Sequence, residues 1–415
     1  MTLPASTADV AIPERLIDQI IGQDHALEAV RLAARQHRFL LLVGEPGTGK
    51  SLIGQAMAQL LGAVTLHDLV AEENRLEPFK PRVRSVAAGA AGTLKAQAIQ
   101  AQHRSRIFER FSVWVLSAAT IVLSFYHAFR EGGSPNSLAI GAVVVLLIHV
   151  IYRRLIARQS LRGPKILVAN PPDGSAPFVD ATGCQAGALL GDVRHDPYQS
   201  GGAETPPHQL LEAGAIHRAH GGVLFIDEVS TLSLESQQSL LTAIQEKRMP
   251  ILGRSPGSSG TMVCSEAVPC EFLLIVAGNM DDIDKMHPAL RSRLRGYGYE
   301  ILTNDVLDDS PANVLRMVQF MAQEVQRDGR IPHLRKDGIE AILDEAQRRS
   351  GAEGTYSARF RELGGLIRIA GDLAVQEGAE LIEAAHVERA RTLARSLEEQ
   401  LPDASVNLQI KERAS

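Results

Sequence analysis

Apolar positions along this chain fall into three kinds of run, and each predicts a different element. Short unbroken runs occur at Phe39 to Val43 ("FLLLV"), Val223 to Ile226 ("VLFI") and 272 to 278 ("FLLIVAG"). Such runs suit strands buried on both faces, as in a parallel sheet. "SLIGQAMAQLL" repeats its apolar residues at helical spacing and predicts a helix from about Lys50. The longest run, "FSVWVLSAATIVLSFYHAF" at 111–129, has no Lys, Arg, Asp or Glu. As a helix it spans about 28 Å, close to the hydrocarbon thickness of a bilayer. A second uncharged run covers 132–152, and only a tight polar turn from Arg130 to Ser137 separates the two. "LGRSPGSSGTMVCSEAVP" predicts a β-hairpin with a Gly/Ser tip. After Glu300 the pattern turns helical without strands: "NVLRMVQFMAQEVQRDG" and "IEAILDEAQRRSG" each close on glycine, and two more helical stretches run to Leu401.

Composition changes this picture little, while charge adds to it. The 415 residues leave room for two or three domains. A net charge of −5 gives no global pull toward nucleic acid, and no helix-turn-helix or basic domain is visible. Cys184, Cys264 and Cys270 lack metal-binding spacing and suit buried thiols in a reducing compartment. The N-terminus has no basic and apolar leader, so no cleaved signal peptide is expected. Lys95, Arg104, Arg106 and Arg110 precede the first uncharged run; Arg153, Arg154, Arg158, Arg162 and Lys165 follow the second. By the positive-inside rule both ends lie in the cytoplasm and the turn outside, with Trp114, Tyr126 and Tyr152 near the interfaces. These runs therefore predict a two-span anchor in the cell membrane, against the alternative of an apolar hairpin buried in a soluble core.

The candidate chemistry lies at the ends of the short runs. Gly44, Glu45, Pro46, Gly47, Thr48, Gly49, Lys50 and Ser51 fit G-x-x-x-x-G-K-[ST] between a strand and a helix. Its glycines let backbone N–H groups wrap phosphates at a helix N-terminus. Lys50 is expected to reach the β- and γ-phosphates of ATP, and Ser51 to hold Mg²⁺. The second run delivers two adjacent carboxylates, Asp227 for the Mg²⁺ and Glu228 for the attacking water. The third ends at Asn279, an amide able to hold that water; alone it reads as a turn residue after Gly278. Three such strands with helices between them call for a parallel sheet with its ligands at the strands' carboxyl ends.

"IIGQDHALEAV", the glycine loop, "VLFIDE", "VAGN" and "HPALRSRLRG" follow in the order of AAA+ ATPases. The chain further resembles the archaeal-type, membrane-bound Lon proteases (LonB). That resemblance rests on "PFVDATGCQAGALLGDVRHDPYQSGG", "EAGAIHRAHGGVLFIDEVSTLS", "QQSLLTAIQEKRMPILG", "HPALRSRLRGYGYE" and "RELGGLIRIAGDLAVQEGA", and covers about Ile12 to Leu401. It implies an α/β AAA+ fold with helices on both sheet faces, an inserted transmembrane hairpin and an all-helical lid. The expected divisions are 1–92 and 166–302 for the large subdomain, 93–165 for the insert, 303–401 for the lid and 402–415 for the tail. Ile21, Gly22 and Gln23 would border the adenine, and Asn279 would be the first sensor. Arg293, or Arg291 two residues earlier, would be the arginine finger for a neighbouring subunit, and Arg361, with Arg359 as the alternative, the second sensor. Tyr198 is the candidate pore aromatic, the competing reading being that it packs under its own loop.

The resemblance further implies a homo-hexameric ring that unfolds and threads unfolded or misfolded proteins for proteolysis. No segment resembles the family's Ser–Lys protease domain, so peptide cleavage is not expected of these residues and a separate protease subunit is an open partner. The alternative is a non-proteolytic remodeller near the magnesium chelatases or the enhancer-dependent transcription activators. Membrane lipid is an expected partner; nucleic acid is not.

Overall fold

The computed structural model describes residues 3–130, 136–155, 163–195, 205–254 and 262–395. Tyr198, the hairpin tip at 255–261 and the tail at 402–415 lie outside them.

Five parallel strands form the central sheet, in the spatial order Gly298–Leu302, Phe39–Val43, Leu273–Gly278, Val223–Ile226 and Phe178–Asp180. Numbered along the chain this is 5-1-4-3-2. The middle three are the strands expected from their apolar runs. Leu41 lies opposite Val276 on one side and Glu300 on the other, and Ile226 opposite Val276. The pleat then sends alternate residues to opposite faces. Leu41, Leu224, Ile226, Leu274 and Val276 join one core, against helices Leu234–Glu246 and Pro288–Tyr297. Leu40, Leu42, Phe225 and Ile275 join the other, against helices Asp24–Gln36 and Lys50–Leu61. Helices thus cover both faces, and all five strands end at one edge.

A second sheet is antiparallel. His67–Glu72 lies between Arg82–Ala87 and Lys165–Val168, so the inserted segment leaves from one of its outer strands and returns into the other. Asp68 holds this root. Fully buried, its carboxylate accepts the Ala91 N–H at 3.0 Å and the Asn170 N–H at 2.8 Å.

From that root one helix runs unbroken from Ala90 to Phe129. It is long and apolar enough to cross a membrane, and almost none of its apolar stretch is covered by protein. Phe111 is 65%, Trp114 70% and Phe129 78% exposed. An apolar hairpin buried in a soluble core is therefore not what the chain forms. The helix begins twenty-one residues before Phe111, because the Ala- and Gln-rich stretch ahead of the apolar run continues it without a break. The returning helix, Asn136–Leu155, is apolar over Asn136–Tyr152. The two pack through small residues: a side chain at Gly141 would strike Ser124, whose carbonyl accepts the Ser137 hydroxyl at 3.2 Å.

The C-terminal part packs four helices, Pro311–Asp328, Lys336–Ser350, Phe360–Glu377 and Ala384–Leu393, around one apolar core. It also carries a two-stranded ribbon, Val306–Asp308 with Thr355–Ser357, where helical periodicity alone was expected. Three-residue strands like these are too short to register as a pattern. The first residues of the chain dock on this helical part: Leu3 and Val10 pack on its core, and the Thr7 N–H reaches the Leu334 carbonyl at 3.0 Å.

Candidate active site

The glycine loop lies between Val43 and Lys50, at the carboxyl edge of the sheet. Gly47 and Gly49 take φ of 88° and 90°, a region that disfavours side chains. At Gly47 there is a second reason, since a Cβ there would lie 2.8 Å from the Cβ of Arg361. The loop is thus bent tightly enough for the lid helix to rest on it. Lys50 opens its helix, and its ammonium donates to the carbonyls of Gly44 at 2.8 Å and Glu45 at 2.9 Å. The Thr48 hydroxyl donates to the Glu45 carbonyl at 2.9 Å and lies 3.0 Å from that of Thr303. Burial lowers the Lys50 pKa, and the nearby carboxylate of Asp227 is the largest influence in the opposite direction.

Asp227 and Glu228 follow the Val223–Ile226 strand as expected. The Asp227 N–H donates to the Thr182 hydroxyl at 2.9 Å, and the Glu228 N–H to the Asp227 carboxylate at 3.0 Å. Glu228 sits in the left-handed region with φ of 49°. A non-glycine residue there costs on the order of 1–3 kcal/mol, a kind of strain that clusters at functional sites. Asn279 follows its strand and caps the short helix Met280–Asp284, its side-chain Oδ1 accepting the Asp282 N–H at 2.8 Å. The residue in this turn position also lines the cleft.

That cleft, of about 340 Å³, gathers Ile21, Gly44, Pro46, Gly47, Thr48, Gly49, Lys50, Ser51, Asp227, Glu228, Asn279 and Arg361 in its walls. Ile20, Ile21, Phe320 and Phe360 add apolar surface to its walls. Not every expected residue is there. Glu45 is exposed, its carboxylate 3.8 Å from the Arg359 guanidinium. Gln23 is buried elsewhere, its amide donating to the Asn304 carbonyl at 2.7 Å and accepting the Asn304 N–H at 2.9 Å. It thereby pins the junction between sheet and lid. Arg293 and Arg291 do not line the cleft of their own chain. Arg293 stacks over the Tyr297 ring at 4.0 Å, and Arg291 lies 3.8 Å from Asp284.

Sequence reasoning missed other residues in these walls. Asp282 lies three positions after Asn279, and Gln323, Glu324, Arg327 and Arg368 come from the lid. Only the carboxylate spacing in "NMDDID" hinted at the first; the lid residues carry no local motif. No group of three or more His, Cys, Asp and Glu suited to a metal occurs among the described residues. What the cleft does hold is a buried ammonium, a hydroxyl and an aspartate together, a set that fits a polyphosphate with a divalent cation.

A parallel sheet of 5-1-4-3-2 order, with a glycine loop, an adjacent acid pair and Asn279 at its carboxyl edge under a helical part, defines the AAA+ P-loop fold. The model of the archaeal LonB AAA+ ATPase lid domain matches residues 333–395. Those of the magnesium chelatase ChlI subunit and the sigma-54 interaction domain match 16–105 and 200–267. Archaeal Lon protease of Archaeoglobus fulgidus is 49% identical over 96% of this chain and 63% of its own length. That of Thermococcus kodakarensis is 48% identical over 96% and 62%. A Lon protease homologue of Methanothermobacter thermautotrophicus is 33% identical over 95% of the chain and 90% of its own length. The chain belongs to the archaeal Lon (LonB) family, and spans about three-fifths of the length of its archaeal Lon protease relatives.

Proposed function

We propose that this chain binds and hydrolyses ATP, and uses the cycle to unfold and thread protein substrates for proteolysis from a membrane-anchored position. The observation that carries the reading is the convergence of Lys50, Asp227, Glu228, Asn279 and Arg361 on one cleft. Lys50 would exchange its bonds to the loop carbonyls for the β- and γ-phosphates. Ser51 and Asp227 would hold Mg²⁺, which when bound neutralises charge on the phosphate oxygens. Glu228 orients the attacking water and draws its proton toward the carboxylate, while Asn279 holds the same water from the neighbouring strand. Arg361 approaches from the lid, so closure of the lid and occupation of the loop depend on each other.

Arg293 lies outside its own cleft, which suits a finger that completes the site of the next subunit in a homo-hexameric ring. The exposed apolar helix and its returning partner supply the tether: two spans in the cell membrane, with the ATPase on the cytoplasmic side. The Ser–Lys peptidase of archaeal Lon proteases, or a separate subunit that carries one, would receive the threaded chain. A non-proteolytic remodeller would use the same cleft; the match of the lid to the LonB lid favours the Lon reading.

The test separates binding from chemistry. Lys50→Ala should weaken ATP binding, whereas Glu228→Gln should keep it and slow turnover by about 10²-fold or more. Unimpaired turnover in Glu228→Gln removes that residue from catalysis.

A further inference from the structure

Asp282 is a buried carboxylate in the cleft wall that the roles above leave unused. One oxygen accepts the Asn279 N–H at 3.1 Å and completes the cap of helix Met280–Asp284. The other accepts the hydroxyl of Ser230. Ser230 belongs to the 3-10 turn Val229–Thr231, which starts directly after Glu228 and closes with the Thr231 N–H on the Glu228 carbonyl at 2.8 Å. The Ser230–Asp282 bond therefore joins the loop that carries Glu228 to the loop that carries Asn279. A Cβ at Gly278 would lie 2.9 Å from that of Asp282, so the strand must end in glycine for the carboxylate to come so close.

The join matters because Glu228 is held in a backbone conformation it would not choose. An exposed glutamate at φ of 49° stays there only where its surroundings impose it. Behind it, the turn's side-chain attachment to the neighbouring strand end is the Ser230 hydroxyl. We propose that Ser230 and Asp282 are positioning residues, which lock Glu228 and Asn279 into one register so that both address the same water. This rests on the ATPase reading above. A displacement of about 1 Å at a reacting group costs up to about 10²-fold in rate, so a loosened turn would show in kcat.

The full-length chain in detergent is measured for ATP affinity and for steady-state turnover. Ser230→Ala is expected to lower kcat at least about tenfold while the Kd for ATP moves less than about twofold. Ser230→Thr, which keeps the hydroxyl, should retain at least about a third of the wild-type kcat. In the Glu228→Gln background Ser230→Ala should cost less than it does alone, because most of its effect passes through the Glu228 carboxylate. A second pair covers the case in which Ser230→Ala does not fold. Asp282→Asn and Asp282→Ala both remove the negative charge near Lys50, but only Asn can still accept from Asn279 and donate to the Ser230 oxygen. Asp282→Asn should therefore turn over at least about fivefold faster than Asp282→Ala. A wild-type kcat in Ser230→Ala, losses that multiply with Glu228→Gln, or equal rates in the two Asp282 variants would each overturn the proposal. A wild-type chain that binds ATP without hydrolysing it would instead overturn the ATPase reading.

Discussion

Replacing Asp68 by alanine should loosen the root of the long apolar helix while leaving the cleft intact. The carboxylate is fully buried and serves two backbone donors, Ala91 at the start of the 40-residue helix and Asn170 just past the returning strand. Asp68→Ala leaves both N–H groups buried without an acceptor, at a cost of about 1–3 kcal/mol each. The negative charge at the helix N-terminus, worth up to about 1 kcal/mol more, goes with it. Two kcal/mol, the lower bound, is about a 30-fold rise in the population of the opened state. Amide hydrogen exchange of the full-length protein in detergent measures this directly. Amides from about Gly89 to Leu94 and from Leu167 to Asn170 should lose at least about 30-fold of protection, while those of the Phe39–Val43 strand keep theirs. Asp68→Asn retains one accepting oxygen and should show a smaller loss. Wild-type protection of Ala91 and Asn170 in Asp68→Ala would refute the idea that this carboxylate holds the root.

Three further outcomes follow from other parts of the molecule. Full-length protein should stay in the membrane through high-salt and alkaline washes, and replacing about Phe111 to Tyr152 with a short flexible linker should release a folded, ATP-binding protein; extraction of the intact chain without detergent would remove the tether. Arg293→Ala should bind ATP without turning it over, and mixing it with Lys50→Ala should restore part of the activity in assembled rings; rescue by an Arg291 variant instead would move the finger there. His217 is fully buried, accepting the Gly214 N–H and bonded to the Met249 carbonyl, and burial lowers its pKa to about 4. The unfolded chain takes up that proton nearer pH 6.5, so the stability is complete above 6.5 and falls by up to about 3 kcal/mol as the pH drops through 4. Urea midpoints from pH 7 to 4 should fall more steeply for the wild type than for His217→Gln, and identical slopes would remove His217 as the cause.

What the sequence made legible was local. Phe39–Val43 with its glycine loop, Val223–Ile226 with Asp227 and Glu228, and Leu273–Gly278 with Asn279 each carry element and chemistry in one contiguous stretch. The uncharged run at 111–129 was legible for the same reason. The edge strands were not. "FVD" at Phe178–Asp180 and "GYEIL" at Gly298–Leu302 are strands because they pair with the central ones, and neither has a pattern of its own. The same holds for contacts between distant segments. Thr303 beside Thr48, Asp282 beside Ser230 and Gln23 on Asn304 need the fold before they can meet. The Gln23 side chain shows the same limit, since its polar atoms bond the Asn304 backbone, a partner 281 positions away.

The helix from Ala90 to Phe129 has a mechanical consequence. At 1.5 Å per residue its 40 residues make a rod about 60 Å long, with no proline or flexible linker between the small sheet and the apolar stretch. A tether of that kind transmits orientation as well as position. With the rod seated at its base, a turn of the small sheet by about 10° would swing the far end by about 10 Å, the length of the lever times the angle. Bilayers accept helix tilts over a range of about 40° at modest cost, so the lipid would yield more readily than the helix would bend. With the apolar stretch seated in a bilayer as proposed, a rotation of the small sheet would reach the far side as a change of tilt.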